Sequence, residues 1–272
     1  MPPPVTTKPV TTFAEAMRLV VDMLAAEQGC PPEQIVDDRV HVVENQISAA
    51  RHPLTRPYPR REPAFAAVSV GAGAVLSAAR AILPDVRAIF QDADRDQVFE
   101  PERLAAVAAL LRPHGLTVLG PYLRLLCAPD THLHRPPPTG YTVHVEPRPS
   151  DPRLEALEPV RWPNAISRRR PITTEAAAIA EHDGEVVGVA TCRADSPRLW
   201  QIGIDVAEPH RGHGIGAALT SALARFILDS GNAAWYGVAP ANVASINTAL
   251  ASGFRFAWVE AYAYPITNTA SP

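Results

Sequence analysis

The chain has 272 residues, of which 47% are hydrophobic and 19% charged, with a formal net charge of −3. That length suits two domains of ordinary size, and the composition is that of a folded globular protein rather than a disordered one. The small net charge offers no bulk attraction for DNA or RNA, and the longest apolar run, Leu104 to Leu111 between Arg103 and Arg112, is far too short to cross a bilayer.

The opening residues, Met1 through Val10, hold four prolines and no apolar core of a signal peptide. The three cysteines, Cys30, Cys127 and Cys192, are far apart and form no C-x-x-C pair. Each is read as a small packing residue of a reduced, cytoplasmic protein, with no metal site. Phe13 to Gln28 places Met17, Val20, Val21 and Leu24 at helical spacing, with Thr12 as its cap. Ala64 to Val70 and Ala74 to Ala79 read as strands around Gly71-Ala72-Gly73. Glu102 to Leu111 reads as a helix, followed by Gly115 and a short strand, Leu116 to Leu119. His41, His52 and His114 are isolated and read as surface or capping residues.

Proline then clusters at His134-Arg-Pro-Pro-Pro138-Thr-Gly140, which can neither continue a helix nor fill a central strand. The domain boundary is placed there, giving residues 1–138 and 139–272. Beyond it, Tyr141 to Val145 alternates like a strand. Glu175 to Glu181 and Glu185 to Thr191 flank His182-Asp183-Gly184, a hairpin signal. Trp200 to Val206 reads as a strand and Gly214 to Leu228 as a helix burying Ile215, Leu219, Leu223, Phe226 and Ile227. A strand, Ala233 to Val238, a helix, Ala241 to Ala251, and a strand, Phe254 to Tyr262, complete the chain. The basic run Arg168-Arg169-Arg170 before Pro171 reads as a solvated loop. Trp200, Trp235 and Trp258 read as core, with an acceptor-pocket wall as the other use.

The chemistry is concentrated between Ile202 and Leu219. A strand ends at Val206, and glycines 212, 214 and 216 lead into an amphipathic helix. Glycine lets backbone approach a bound group closely, and the first helical turn has free N–H groups and a positive dipole end. Together these make a phosphate cradle, to which Arg211 adds a fixed cation. Gly212-His-Gly214-Ile-Gly216-Ala217 also fits the dinucleotide pattern G-x-G-x-x-A. That use needs an acidic residue about twenty positions on, at the end of the next strand, whereas here the strand ends at Val238-Ala239-Pro240. A parallel run of βα units is also expected there, but this half opens with a hairpin.

Arg211-Gly-His-Gly214-Ile-Gly216 resembles the signature R/Q-x-x-G-x-G/A of the GNAT N-acetyltransferases, which binds the pyrophosphate of coenzyme A. Asn242-Val-Ala-Ser245-Ile-Asn247, leading to Gly253-Phe254, is similar to that family's second cofactor segment. The resemblance covers about residues 140 to 264. Wording around Trp200 to Val206 and Ala257 to Glu260 is similar to a bacterial GNAT subgroup with an extra N-terminal domain. It implies an α/β (α+β) fold: a C-terminal GNAT domain with a mixed, mostly antiparallel central sheet flanked by helices, plus a smaller N-terminal α/β domain, either accessory or a worn relative of the same fold.

The resemblance also implies an acetyl-CoA cofactor and direct attack of an amine, on a small molecule or a protein, upon the acetyl thioester. Cofactor contacts then fall on Ile204, Val206, Arg211, Gly212, His213, Gly214, Ile215, Gly216, Ala217, Asn242 and Ser245. His210 and His213 flank Arg211 as solvent-side loop residues within reach of a cofactor phosphate. Many family members carry a tyrosine acid seven residues after the motif Asn, which here is Ala249. Some carry a glutamate base on the strand before the signature, where this chain has Trp200 and Gln201. The candidate proton carriers are therefore Asp205, Tyr236 and Ser245, with a water relay as an equal choice for the base. Asp205 is also read as the partner of a loop amide. The N-terminal domain, which lacks any R/Q-x-x-G-x-G stretch, would complete the acceptor pocket or form a homodimer surface. No nucleic-acid or membrane partner is expected. The competing expectation is a catalytically degenerate GNAT that binds acyl-CoA as a sensor or scaffold.

Overall fold

The computed structural model describes residues 8–45, 53–56, 64–166 and 173–266. His52 and the run Arg168–Arg170 lie outside the described residues. In chain order the elements are α1 (Phe13–Gln28), α2 (Pro32–Val36), β1 (Val40–Glu44), β2 (Phe65–Ser69), β3 (Ala74–Ala78), α3 (Leu83–Phe90), α4 (Pro101–Leu111) and β4 (Leu116–Cys127). There follow β5 (Tyr141–Pro147), α5 (Asp151–Ala156), β6 (Thr174–His182), β7 (Glu185–Arg193), β8 (Leu199–Val206), α6 (Ile215–Asp229), β9 (Ala233–Val238), α7 (Val243–Ala251) and β10 (Arg255–Pro265). They are distributed over two compact units, one made of Met1–Leu19 and Leu125–Phe256, the other of Val20–Arg124 and Ala257–Pro272. This partition differs from a single cut at residue 138: Pro136–Pro138 lies inside the first unit, and most of β10 belongs to the second.

In the second unit the strand order is β1-β3-β2-β10, with β1 parallel to β3 and the other neighbours antiparallel. Both faces of β2 and β3 are buried, and the small side chains of Ala66, Ala67, Ala74 and Ala78 let layers approach closely. Phe65, Leu76, Val86, Phe90, Val107 and Leu111 form its core. Within the same unit lies a buried ionic group. The Arg56 guanidinium donates to Glu27 (Nη2–Oε2 2.7 Å) and to Glu260 (Nη2–Oε2 2.8 Å). Glu260 also accepts from Arg124 at 2.8 Å and from the Trp258 indole at 3.1 Å.

The first unit holds the antiparallel meander β5-β6-β7-β8, to which β9 adds in parallel. A mixed, mostly antiparallel sheet is therefore present as expected. The β6–β7 hairpin turns on Asp183 (φ 50°) and Gly184 (φ 82°), two consecutive positive φ values that suit the right-handed twist of the flanking strands. Helix α6 lies on this sheet through Leu219, Leu223, Ala224 and Ile227, all fully buried. A Cβ on Gly188 would stand 2.9 Å from the Leu219 side chain, so the glycine permits the close crossing. Thr12 caps α1, accepting from the Glu15 amide at 3.2 Å, as its sequence suggests. Burial raises the thiols of Cys30 to about 11 and of Cys127 and Cys192 to about 12, so none is a thiolate nucleophile at neutral pH. Among the described residues no helix is long and apolar enough to cross a membrane.

Candidate functional site: a glycine turn opening on a strand splay

The site arises where two parallel strands separate. Strands β8 and β9 pair from Leu199–Ala233 to Ile202–Tyr236, and the pairing ends there. Ile204, Asp205 and Val206 continue on β8, held on their other side by β7. A cleft of about 560 Å³ opens along this splay, with Ile204, Asp205, Val206 and Tyr236 among its walls.

One end of the cleft is the glycine turn. Gly212 (φ 78°) and Gly214 (φ 87°) both take left-handed backbone, which residues bearing a Cβ adopt only with strain. A Cβ on Gly212 would meet nothing within 4 Å, so the turn faces open space. Gly214 is the N-cap of α6 and provides no side-chain cap, and the first turn carries no acidic residue. The first helical hydrogen bond runs from the Ala218 amide to the Gly214 carbonyl at 3.1 Å. The amides of Ile215, Gly216 and Ala217 precede it and are left for an outside acceptor. Arg211 also lines the cleft, with its Nε donating to the Val206 carbonyl at 3.0 Å. That bond orients the guanidinium while its two Nη groups can still reach an anion.

The other wall is α7. Asn242 caps it, accepting from the Ser245 amide at 3.1 Å. A Cβ on Gly216 would lie 3.3 Å from Thr248, so the glycine lets α6 and α7 approach closely. At the inner end, the Tyr236 hydroxyl and Ser245 Oγ are 2.7 Å apart. Tyr236 is 3% exposed, and burial, with the Asp205 charge as a smaller cause, pushes its phenol above the ordinary value of 10. The Ser245 hydroxyl acts against that shift.

Most of the residues singled out in the sequence meet here. Ile204, Asp205, Val206, Arg211, Gly212, Gly214, Ile215, Gly216, Ala217, Tyr236, Asn242 and Ser245 all line the cleft. His213 does not line it; its side chain is exposed. The Asp205 carboxylate accepts three hydrogen bonds, from the Asn164 amide (2.7 Å), the Asn164 side chain (2.6 Å) and the Ala165 amide (2.9 Å). It is thus the partner of a loop amide, and a group so occupied is poorly placed to abstract a proton. Also lining the cleft are Asn164, which the sequence reading does not single out, Ala244 and Asn247, which lie in the second cofactor segment without an assigned contact, and Thr248 and Ala251, which follow it. The last four sit on one face of α7, a helical spacing visible in the chain. For Asn164 the trace was Gly203, where a Cβ would stand 2.3 Å from the Asn164 carbonyl oxygen.

Residues 141–254 match the family described as "Acetyltransferase (GNAT) family". That part of the chain is a GNAT domain, and the chain carries it as one portion of a longer polypeptide. Comparison with curated proteins gives no match. Among solved structures, the chain is similar to a GCN5-related N-acetyltransferase from Kribbella flavida at 22% identity, over 57% of this chain and 63% of that one, with a TM-score of 0.43. It thus spans less than two thirds of that protein's length. It is also similar to a tandem GNAT protein from the clavulanic acid biosynthesis pathway at 18% identity, over 58% of each chain, with a TM-score of 0.42. A third is yncA of Salmonella typhimurium, solved with its cofactor acetyl-CoA, at 17% identity over 49% of this chain and 98% of that one, with a TM-score of 0.35.

Proposed function

We propose that the chain is an acetyl-CoA-dependent N-acetyltransferase acting on an amine of a small molecule or a protein. The observation that carries this reading is the open, acid-free glycine turn at the head of a cleft that ends on a hydroxyl pair, buried Tyr236 and half-buried Ser245. The donor set fits a diphosphate: free amides at a helix N-terminus, beside a guanidinium held by a strand carbonyl. Arg211, Gly212, Gly214, Ile215, Gly216 and Ala217 would hold the pyrophosphate. Ile204, Val206, Asn242 and Ser245 would flank the pantetheine arm.

When bound, acetyl-CoA supplies a thioester carbonyl open to attack by an amine. The chain's part is to position and to manage charge. Beyond Ile202 the β8 edge has lost its strand partner; the Ala207 amide bonds to Val187 on β7, so by strand alternation the Asp205 amide also faces β7 and the backbone amides of Ile204 and Val206 face the open edge, available to an acyl oxygen. Such donors contribute on the order of 3 kcal/mol to a developing oxyanion. Tyr236, kept as a phenol by burial, donates a proton toward the departing sulfur, and Ser245 holds its hydroxyl in place. The amine's proton leaves through water. Asp205 is a positioning residue, fixing the loop at Asn164–Ala165 that borders the cleft. The sum is an amide formed, a C–S bond broken and one proton carried from nitrogen to sulfur.

A second reading is an acyl-CoA sensor without turnover. It is favoured by Ala249 at the family's tyrosine position and by the lining of the cleft, where Asp205 is the one carboxylate among the described residues and is already occupied. Thiol release from acetyl-CoA across a panel of amines separates the two. Release that depends on both reagents supports the transferase, and tight binding without release from any amine supports the sensor.

A further inference from the structure

Three side chains from three different elements converge beside the glycine turn without being part of the family's signature. Tyr141 opens β5, His182 ends β6, and His210 ends the short 3₁₀ turn that precedes Arg211. The Tyr141 ring lies flat on the His182 imidazole, with centroids 4.4 Å apart and planes at 23°. His210 meets both rings edge-on, at 5.8 Å from Tyr141 and 5.5 Å from His182. The Tyr141 hydroxyl is 3.1 Å from His210 Nδ1. His182 is itself tied down: its Nδ1 donates to the Gly140 carbonyl at 2.8 Å, and Asp183 lies 3.5 Å from its Nε2. Of the three, His210 lines the cleft.

The chain of bonds fixes a tautomer. A carbonyl can only accept, so His182 carries its proton on Nδ1. An imidazole imine nitrogen is a better acceptor than a phenol oxygen, so Tyr141 donates to His210 Nδ1. The proton of neutral His210 is then on Nε2, the ring nitrogen left without a protein partner among the described residues. The stacked His182 keeps the phenol from swinging away.

We infer that His210, oriented by Tyr141 and His182, is a phosphate-binding side chain of this cleft that reads a phosphate of coenzyme A through its Nε2–H. The inference rests on the proposed cofactor and extends the site beyond the glycine turn. Two phosphate groups share this chemistry, the pyrophosphate and the ribose 3′-phosphate. Tyr141 and His182 are positioning residues, since neither touches the ligand.

The test uses the full chain and titration calorimetry with coenzyme A, 3′-dephospho-coenzyme A and pantetheine. A hydrogen bond to a charged group is worth enough that His210→Ala weakens coenzyme A binding by about tenfold or more. Pantetheine, which has no phosphate, is expected to bind the variant and the parent chain alike. A loss that persists with dephospho-coenzyme A assigns the pyrophosphate, and one that vanishes assigns the 3′-phosphate; either supports the inference. His210→Gln, which returns an N–H near the Nε2 position, is expected to recover part of the affinity, and Tyr141→Phe to lose part of it with the same dependence on phosphate. Equal weakening toward all three ligands, or no change toward any, overturns the inference while leaving the transferase reading intact. Failure of the parent chain to bind coenzyme A overturns both.

Discussion

Tyr236 is the residue on which the proposed chemistry turns. It is buried, its hydroxyl is 2.7 Å from Ser245, and in that proposal it takes the place of the family's tyrosine acid, whose position here is Ala249. Tyr236→Phe is expected to lower kcat by about a hundredfold, the lower end of what a positioned acid contributes, while the affinity for acetyl-CoA stays within about twofold. Steady-state kinetics with a calorimetric titration checks this, and an unchanged kcat would remove Tyr236 from the mechanism. The pH profile follows from the direction of its shift. Burial raises the folded-state value above the ordinary 10, so the proton is present at neutral pH and is lost only above 10. The kcat profile should therefore show no fall between pH 7 and about 9.5 through loss of this acid. An alkaline fall centred near pH 8 that disappears in Tyr236→Phe would contradict the assignment. Asp205 is read from the sequence both as a candidate base and as the partner of a loop amide, and the structure shows the loop-amide contact. Which loop supplies it is not legible: its three hydrogen bonds come from Asn164 and Ala165, about forty residues upstream, a contact that no local spacing announces.

At the scale of elements, the strands and helices with strong local signals were legible. The periodic apolar faces of α1, α4 and α6, the Asp-Gly hairpin of β6 and β7, and Gly253 after α7 all appear where their physics puts them. Gly253 has φ 89°, and a Cβ there would fall 2.1 Å from the Thr131 carbonyl oxygen, so only glycine ends that helix in this setting. The elements not read were short or interrupted. Helix α2 has 5 residues and α5 has 6, too few for a periodic face, although Ser150 before Asp151-Pro152 is a cap signal that announces α5. The strand expected over Leu116 to Leu119 is longer: β4 runs through Gly120-Pro121 and continues to Cys127. The joint between α7 and the cleft can be tested directly. Asn242→Ala removes the side-chain acceptor of the Ser245 amide and is expected to cost about 1 kcal/mol in stability. Because that turn carries Ser245, acetyl-CoA binding should weaken several-fold as well. Urea unfolding beside a binding titration checks both, and a loss of stability with undiminished affinity would detach the cap from the site.

At the scale of the whole molecule, one compact unit holds the buried ionic group and the other holds the candidate cleft. In the unit made of Val20–Arg124 and Ala257–Pro272, Glu260 is fully buried and receives Arg56, Arg124 and Trp258. Removing a single partner from such a group leaves buried charge without compensation, so Glu260→Gln is expected to lower stability by about 3–5 kcal/mol. Chemical denaturation measures it, and a change below about 1 kcal/mol would mean that the group contributes little. In the other unit, one end of the candidate site is legible because a glycine turn, a cation and a helix start lie within a few residues of one another. Asn164 is not, because it reaches the cleft from a loop about forty residues before Asp205.

The most direct measurement is a calorimetric titration of acetyl-CoA into the full chain and into Gly214→Glu and Ala217→Glu, each checked by circular dichroism for an intact fold. Ala217 lies in the first turn of α6, so its replacement adds a carboxylate to the cleft without asking any residue to adopt left-handed backbone. Saturable binding by the parent chain, lost by at least a hundredfold in the folded variants, is the result this account predicts. Undiminished affinity with a carboxylate at Ala217 would contradict it.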